Sequence, residues 1–454
     1  MEERKKKLAF GTKLGYGVGD IGGNLFFTVS SFWLMNYLTD TVGLAAGLAG
    51  IAVLIGRVFD AVTDPAMGYI SDRTKTRWGR RRPFLFAGAF LMLIAMVLMY
   101  TNPKIEKQVP MFIWAAGMYS LLSLAYTIFS IPYSSLTPEL TSDYDERTSL
   151  SSFRMFCAVI GTFIGAGAAL PIVGAFGSPN TGYSVMGGVF GGIMCVTALI
   201  TFFSIREPDI PRPKPDKNLF RSYISTFKNR AFILILLPWV FTSLAVAILS
   251  GTLIYYFRGV YGAADGTTNL ALLTLLGSAM VFIPVWAQLA KRIEKKYCLF
   301  IGVMILTAAV VLFFFIGRSS ITIAFVLMGV SGFGLATYYV LPWSIVPDAI
   351  EYDFTVSRVR REGVYYGIWN FLMKVGQGLG AMLIGWVLSG FRYVPEAAEQ
   401  TLQAQLGIRL LFGPIAAVFF IIAGIIVTFY PITKERYAEI LAKSKEIEAE
   451  ETGE

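Results

Sequence analysis

Ile131–Glu139 reads IPYSSLTPE, and Leu341–Asp348 reads LPWSIVPD. Each is an aliphatic residue, a proline, an aromatic and a serine, followed by a second proline and an acid. Both sit at the end of apolar runs longer than the about 20 residues that cross a bilayer. Between them lies a polar segment, 205–230, rich in proline and mixed charge, with six apolar runs on either side. The motif closes the fourth run of each six. A motif repeated at equivalent places on both sides of a central linker marks an internal duplication.

The twelve runs lie roughly at 10–38, 44–70, 83–101, 110–138, 148–175, 183–204, 231–256, 267–289, 297–316, 321–347, 363–389 and 404–430, each near the length of a membrane helix. The chain of 454 residues is 55% hydrophobic and 15% charged, where a soluble domain carries about 25% charged residues. The fold class expected is therefore an all-α, polytopic membrane protein; long continuous runs are unlike the short alternating segments of an outer-membrane barrel. Parallel six-helix repeats of this kind characterise the major facilitator architecture. The expected organisation is an N-terminal six-helix bundle (1–204), a linker (205–230), a C-terminal bundle (231–430) and a tail (431–454).

Charge sets the orientation. Twenty-nine of the 39 lysines and arginines fall in the two tails and the loops after even-numbered runs, and five in the opposite loops. By the positive-inside rule both termini are cytoplasmic, in the inner membrane. The basic start MEERKKK precedes an apolar run too long for a signal peptide and reads as an uncleaved end. Basic residues confined to alternate short loops also argue against a nucleic-acid surface. The end after Pro431, with KSKEIEAEETGE, reads as a short solvated tail.

Several chemistries are excluded. The chain contains no histidine, so histidine ligation, histidine triads and histidine proton relays are impossible. Three cysteines at unrelated spacings, Cys157, Cys195 and Cys298, make no disulfide framework or zinc pattern. No phosphate-binding GxxxxGK[ST] loop occurs, so the chain has no ATP-driven motor. A membrane enzyme would need a metal or acid–base cluster at one face, and none is apparent. A transporter-like sensor is a third class, against which the buried carboxylates argue.

Eight charges fall inside the runs: Lys13, Asp20, Arg57, Asp60, Asp64, Arg154, Lys374 and Arg409. Lys13 and Arg409 are near helix ends and can snorkel. A charge at the bilayer centre costs on the order of 3 kcal/mol and usually marks an ion or substrate path. In GRVFDAVTDP (56–65), Asp60 and Asp64 are four apart and share a helix face with Arg57. Two converging carboxylates repel unless a cation or shared proton lies between them, and a monovalent cation held by hard oxygens would satisfy both. An Arg57–Asp60 ion pair is the alternative. Polar stripes recur at helical spacing: Tyr16, Asp20 and Asn24; Tyr119, Ser123, Tyr126, Thr127, Ser130 and Ser134; Asn370, Lys374 and Gln377. With Arg154 they suggest the lining of an aqueous cavity, though weakly polar stripes also serve as helix-packing contacts. Tyr338, Tyr339 and Trp343 fit a sugar-stacking face or ordinary core. The loop GYISDRTKTRWGRRRP (68–83) carries Asp72, Arg73 and Arg77, read as a conformational latch between helix ends.

KLGYGVGDIGGN (13–24), GRVFDAVTDPAMGYISDRTKTRWGRRRP (56–83), YTIFSIPYSSLTPELTSDYDERTSLSSFR (126–154) and REGVYYGIWNFLMK (361–374) together resemble the glycoside–pentoside–hexuronide:cation symporter family of the major facilitator superfamily. The match runs in order over nearly the whole chain. It implies alternating access, with Na+, Li+ or H+ coupled to a sugar-like substrate and no other cofactor. Asp60, Asp64 and Thr127 match the family's cation site. Lys374 matches the lysine linking the cation and sugar regions, and Arg154 and Tyr126 match positions lining the sugar cavity. Asp20, Asn24, Ser130, Trp343 and Asn370 complete the expected substrate site. The chain departs from galactoside-carrying members: Asn24 and Ser130 replace aspartates, and Ser134 replaces a stacking tryptophan. Asp20, one turn before Asn24, is a candidate replacement for a lost carboxylate. The helix-2 signature also occurs in animal lysophospholipid–sodium symporters, which leaves a lysophospholipid as the alternative substrate. Expected partners are the substrate, a monovalent cation and membrane lipids around a monomer.

Overall fold

The computed structural model describes residues 8–141, 144–207, 226–317, 319–359, 361–395, 397 and 399–452. Among them no strand forms, and one isolated bridge joins Thr76 to Gly79. Eleven helices of the described residues are long and apolar enough to cross a membrane, from Ala46–Arg73 to Leu402–Thr428. The chain is thus an all-helical, multi-pass membrane protein. The apolar run expected at 10–38 is also helical but comes in pieces: Phe10–Gly17, Gly19–Phe32, Leu34–Asn36 and a π turn at Tyr37–Thr41. No piece reaches membrane-spanning length by itself. The run's first break, at Val18, falls within GYGVGDIGG, where glycines leave few side chains to favour an unbroken helix.

The chain packs as two compact units. The first comprises Met1–Lys214, Leu253–Leu270 and Ala381–Ala404; the second comprises Pro215–Thr252, Ala271–Gly380 and Gln405–Glu454. In the first unit, Ala46–Arg73 lies along Gln108–Leu140, and Gly19–Phe32 lies along Tyr144–Gly174. Close approach depends on particular glycines. A Cβ on Gly56 would overlap the Tyr119 ring, so the smallest residue there lets that tyrosine lie against the helix bearing Asp60.

The second unit packs Lys295–Ile316 between Ile321–Ser357 and Ala416–Thr428. Its interior holds a ring stack: Trp239 lies flat on Trp369, with centroids 4.8 Å apart, and on Tyr338 at the same distance. Offset stacking of this sort adds about 1 kcal/mol per pair beyond the burial of area.

The C-terminal segment differs from the solvated tail expected from its charge. It forms a helix, Lys434–Thr452, that docks on Ile321–Ser357. Ile440, Ser444 and Ile447 are buried at helical spacing, Ser444 bonds Glu351, and Arg358 pairs with Glu450 at 3.1 Å. A one-sided stripe of two isoleucines suffices to hold an otherwise polar helix on a partner.

Candidate cation and substrate sites

On the Ala46–Arg73 helix, Asp60 is fully buried and Asp64 half-buried. Facing them from Gln108–Leu140 is Thr127, also fully buried. Its Oγ1 lies 2.8 Å from Asp60 Oδ1 and 3.0 Å from Asp64 Oδ1. A hydroxyl has a single proton to donate, so both carboxylates converge on one donor. Pro65, inside this helix, has no N–H to give the Ala61 carbonyl, which leaves that oxygen without its helical donor. Arg57 is buried too, with its guanidinium 5.9 Å from the ring centroids of both Phe27 and Tyr119 and its Nη1 without a hydrogen-bond partner among the described residues.

A second cluster forms around Asp20. Arg154 reaches it through Nε, 2.6 Å from Oδ2, and through Nη2, 3.3 Å from Oδ1. Tyr133 donates to Oδ2 at 2.7 Å, and Arg154 Nη1 donates to Thr137 at 3.0 Å. The two charged side chains are 13% and 18% exposed, so this is a largely desolvated, two-point ion pair. Asn24 turns inward and donates to the Asp20 carbonyl of its own helix at 3.0 Å. Tyr126 stacks on Phe26 at 4.6 Å and meets Phe27 edge-on. Ser130 is half-buried on the same helix, and Ser134 is exposed. Tyr133 and Thr137 were not singled out by the sequence, yet Tyr126, Ser130, Tyr133 and Thr137 follow the i, i+4, i+7, i+11 spacing of one helix face.

Trp343, Asn370 and Lys374 belong to the second unit. Trp343 is 41% exposed and edge-on to Trp239, Asn370 is half-buried, and Lys374 is buried.

The loop after Arg73 is held by a mesh of charges. Asp72 pairs with Arg81 at 3.0 Å, and Arg81 pairs with Glu139 at 2.7 Å. Arg80 also pairs with Glu139, and with Glu207 at 3.4 Å. Glu207 accepts from the Arg81 N–H at 2.9 Å. Gly79 has φ +105°, and a Cβ there would strike the Glu207 carboxylate, so glycine is required on both counts. Arg73 and Arg77, expected in the latch, lie instead over the rings of Tyr69 and Trp78. Burial pushes the Glu139 carboxyl above its usual range against the pull of Arg81 and Arg80, and Glu207 adds to the rise. Burial likewise lowers Arg81. Glu139 ends the first repeated motif. Asp348, which ends the second, takes Lys295 at 2.7 Å. In each unit, then, the motif's acid is neutralised by a basic residue from the start of a neighbouring helix.

The first unit carries one more polar network, at the far end of the 10–41 segment. Asp40 accepts from Tyr393 at 2.6 Å, from Thr39 at 2.6 Å and from Asn36 at 2.7 Å. Thr39 also meets the Tyr255 hydroxyl at 2.7 Å, and Ser389 caps the Gly47 N–H at 2.8 Å. These contacts tie residues 36–47 to the 253–270 and 381–404 segments of the same unit.

Residues 15–434 match the family model described as MFS/sugar transport protein, and the chain belongs to that family. It is similar to a putative glycoside/cation symporter, YagG, of Escherichia coli, at 28% identity over 96% of this chain and 94% of that protein. It is also similar to the sodium-dependent lysophosphatidylcholine symporter 1-A of Danio rerio, at 27% identity over 96% of this chain and 88% of that protein. Among solved structures, a bacterial homologue of the lysosomal transporter Spinster, described as inward-facing and unoccupied, superposes with TM-score 0.66 at 14% identity, covering 96% and 97% of the two chains. That likeness is one of fold.

Proposed function

We propose that the protein is a secondary active transporter of the inner membrane that moves a sugar-like substrate together with Na+, Li+ or H+. The observation that carries this reading is the convergence of Asp60 and Asp64 on the Thr127 hydroxyl in a buried part of a membrane helix. Two carboxylates and a hydroxyl lone pair offer hard oxygens to a small monovalent cation. A proton shared by the carboxylates would relieve the same repulsion.

In this reading the chain has twelve transmembrane helices in two six-helix halves, 1–204 and 231–430, joined by the 205–230 linker, with both termini cytoplasmic. The substrate site is formed by Asp20, Asn24, Tyr126, Ser130, Arg154, Trp343, Asn370 and Lys374. Arg154 supplies hydrogen-bond donors, and Asp20 fixes its orientation. Trp343 offers an exposed ring face to the apolar side of a sugar. The charge mesh of Asp72, Arg80, Arg81, Glu139 and Glu207 acts as the cytoplasmic latch. The Asp40–Tyr393 network acts as its counterpart at the other end, and the two open in alternation. Cation and substrate must raise each other's affinity by the same factor.

Lysophospholipid transport is the alternative, favoured by the resemblance to the lysophosphatidylcholine symporter and by the loss of sugar-binding carboxylates at Asn24 and Ser130. A thermal-unfolding panel of glycosides, uronates and lysophospholipids, each with and without Na+, distinguishes the two. A Na+-dependent rise in melting temperature with a glycoside or uronate supports the sugar reading. The same rise restricted to lysophospholipids replaces it.

A further inference from the structure

Behind the cytoplasmic ends proposed above, the docked C-terminal helix creates a cleft of its own. Arg230, Tyr352, Arg436 and Ile440 line a cavity of about 210 Å³. A second cavity of about 230 Å³ shares Tyr352, Arg436 and Ile440 with it and adds Lys443 and Glu439. The two share a wall, and together they present three cations and one carboxylate. Glu439 pairs with Arg436 at 2.5 Å, but both side chains are about 60% exposed, and such pairs are weakly held. Arg230 and Lys443 are exposed, and neither makes an ion pair among the described residues.

The position of the cleft matters as much as its charge. Arg230 is the first residue of the Arg230–Gly259 membrane helix, and Tyr352 lies in the last turns of Ile321–Ser357. Ile432 and Ile440 form a buried apolar floor. Basic donors above an apolar floor, at the level where membrane helices end, match an amphiphile whose anionic head is a phosphate group. Arginine grips phosphate through two N–H groups at once, and basic pockets beside helix ends hold anionic lipid headgroups.

We propose that this cleft is a binding site for a phosphate group, carried by an anionic phospholipid of the surrounding leaflet. The lipid head sits among Arg230, Arg436 and Lys443, displacing Glu439 from Arg436. Its chains leave across Ile432 and Ile440. Lipid bound there fastens the Lys434–Thr452 helix to the membrane helices. The site is separate from the transport residues and does not depend on which substrate is carried.

The test uses the full chain in detergent and reads thermal unfolding with short-chain phosphatidylglycerol, short-chain phosphatidylcholine or inorganic phosphate added. Phosphatidylglycerol should raise the melting temperature more than phosphatidylcholine does. Each cation removed, in Arg230→Gln, Arg436→Gln or Lys443→Gln, should weaken the effect about fivefold. Each variant is delipidated first and read as the shift that added lipid produces from its own starting temperature. A shift of equal size with inorganic phosphate, lost in the same variants, assigns the site to free phosphate and keeps its chemistry. Native mass spectrometry of retained phosphatidylglycerol gives a second readout. Equal shifts with both lipids, or a triple variant that responds to phosphatidylglycerol as wild type does, would overturn the proposal.

Discussion

Arg154 holds Asp20 at two points, with Nε 2.6 Å from Oδ2 and Nη2 3.3 Å from Oδ1. The pair joins the Gly19–Phe32 helix to Tyr144–Gly174 in a place largely shut off from water. An aspartate so engaged is a poor free acceptor for a sugar hydroxyl, and a good anchor for the arginine.

Breaking this pair should cost both stability and binding. Asp20→Asn leaves a desolvated guanidinium without its counter-charge, worth about 3 kcal/mol, and a large fall in melting temperature follows. The exchange Asp20→Arg with Arg154→Asp should recover much of the melting temperature but not substrate binding. If Asp20→Asn unfolds like wild type and binds substrate normally, the anchoring role is wrong.

Thr127 provides a finer probe of the cation site. Thr127→Ala removes the hydroxyl shared by Asp60 and Asp64, which should weaken cation affinity by about tenfold, the order of one hydrogen bond. Thr127→Ser keeps the oxygen and should retain most of the affinity. Titration of Na+ or Li+ followed by calorimetry reads the difference, and equal affinity in the Ala and Ser variants would remove Thr127 from the site.

Gly56 tests the packing behind that site. Its α-hydrogen faces the Tyr119 ring, so Gly56→Leu forces the ring or the helix to move, at about 1–3 kcal/mol. The loss should shrink in the double variant Gly56→Leu/Tyr119→Ala, measured by thermal unfolding. Additive losses would mean that the two positions are not in contact.

The charge mesh gives a pH signature. Because the Glu139 carboxyl is raised above its ordinary value of 4.5 by burial, the folded protein holds that proton more tightly than the unfolded chain. Its contribution to stability is complete below pH 4.5 and is lost as pH rises through the higher folded value. Asp72, Glu207, Arg80 and Arg81 face the same point, so the comparison must be with Glu139→Gln, whose melting temperature should fall less over that range. Identical slopes in the two proteins would refute it.

Helix type was largely readable from hydropathy, because a membrane helix must be apolar over its whole length, and eleven of the twelve expected runs lie in helices of that length among the described residues. The equivalence of Glu139 and Asp348 was foreshadowed by IPYSSLTPE and LPWSIVPD, and each acid takes a basic partner in its own unit. Asp60 and Asp64 could be paired from spacing alone, since one helix fixes their geometry. Contacts between helices were not readable in this way. Nothing in the order of residues announces that Tyr133 and Arg154 meet on Asp20, or that Glu207 closes the loop at Gly79. The buried face of Lys434–Thr452 was hidden by its charge, because two isoleucines and a serine are too few to shift the mean hydropathy of that helix.

The central claim is that Asp60 and Asp64 hold the coupling cation. Its most direct test is uptake into proteoliposomes under an imposed Na+ or H+ gradient, using the substrate found in the thermal panel, with wild type, Asp60→Asn and Asp64→Asn. Wild type should accumulate substrate above the outside concentration, and both variants should reach the equilibrium level at most, whichever gradient is applied. Accumulation at the wild-type level in either variant would contradict the account.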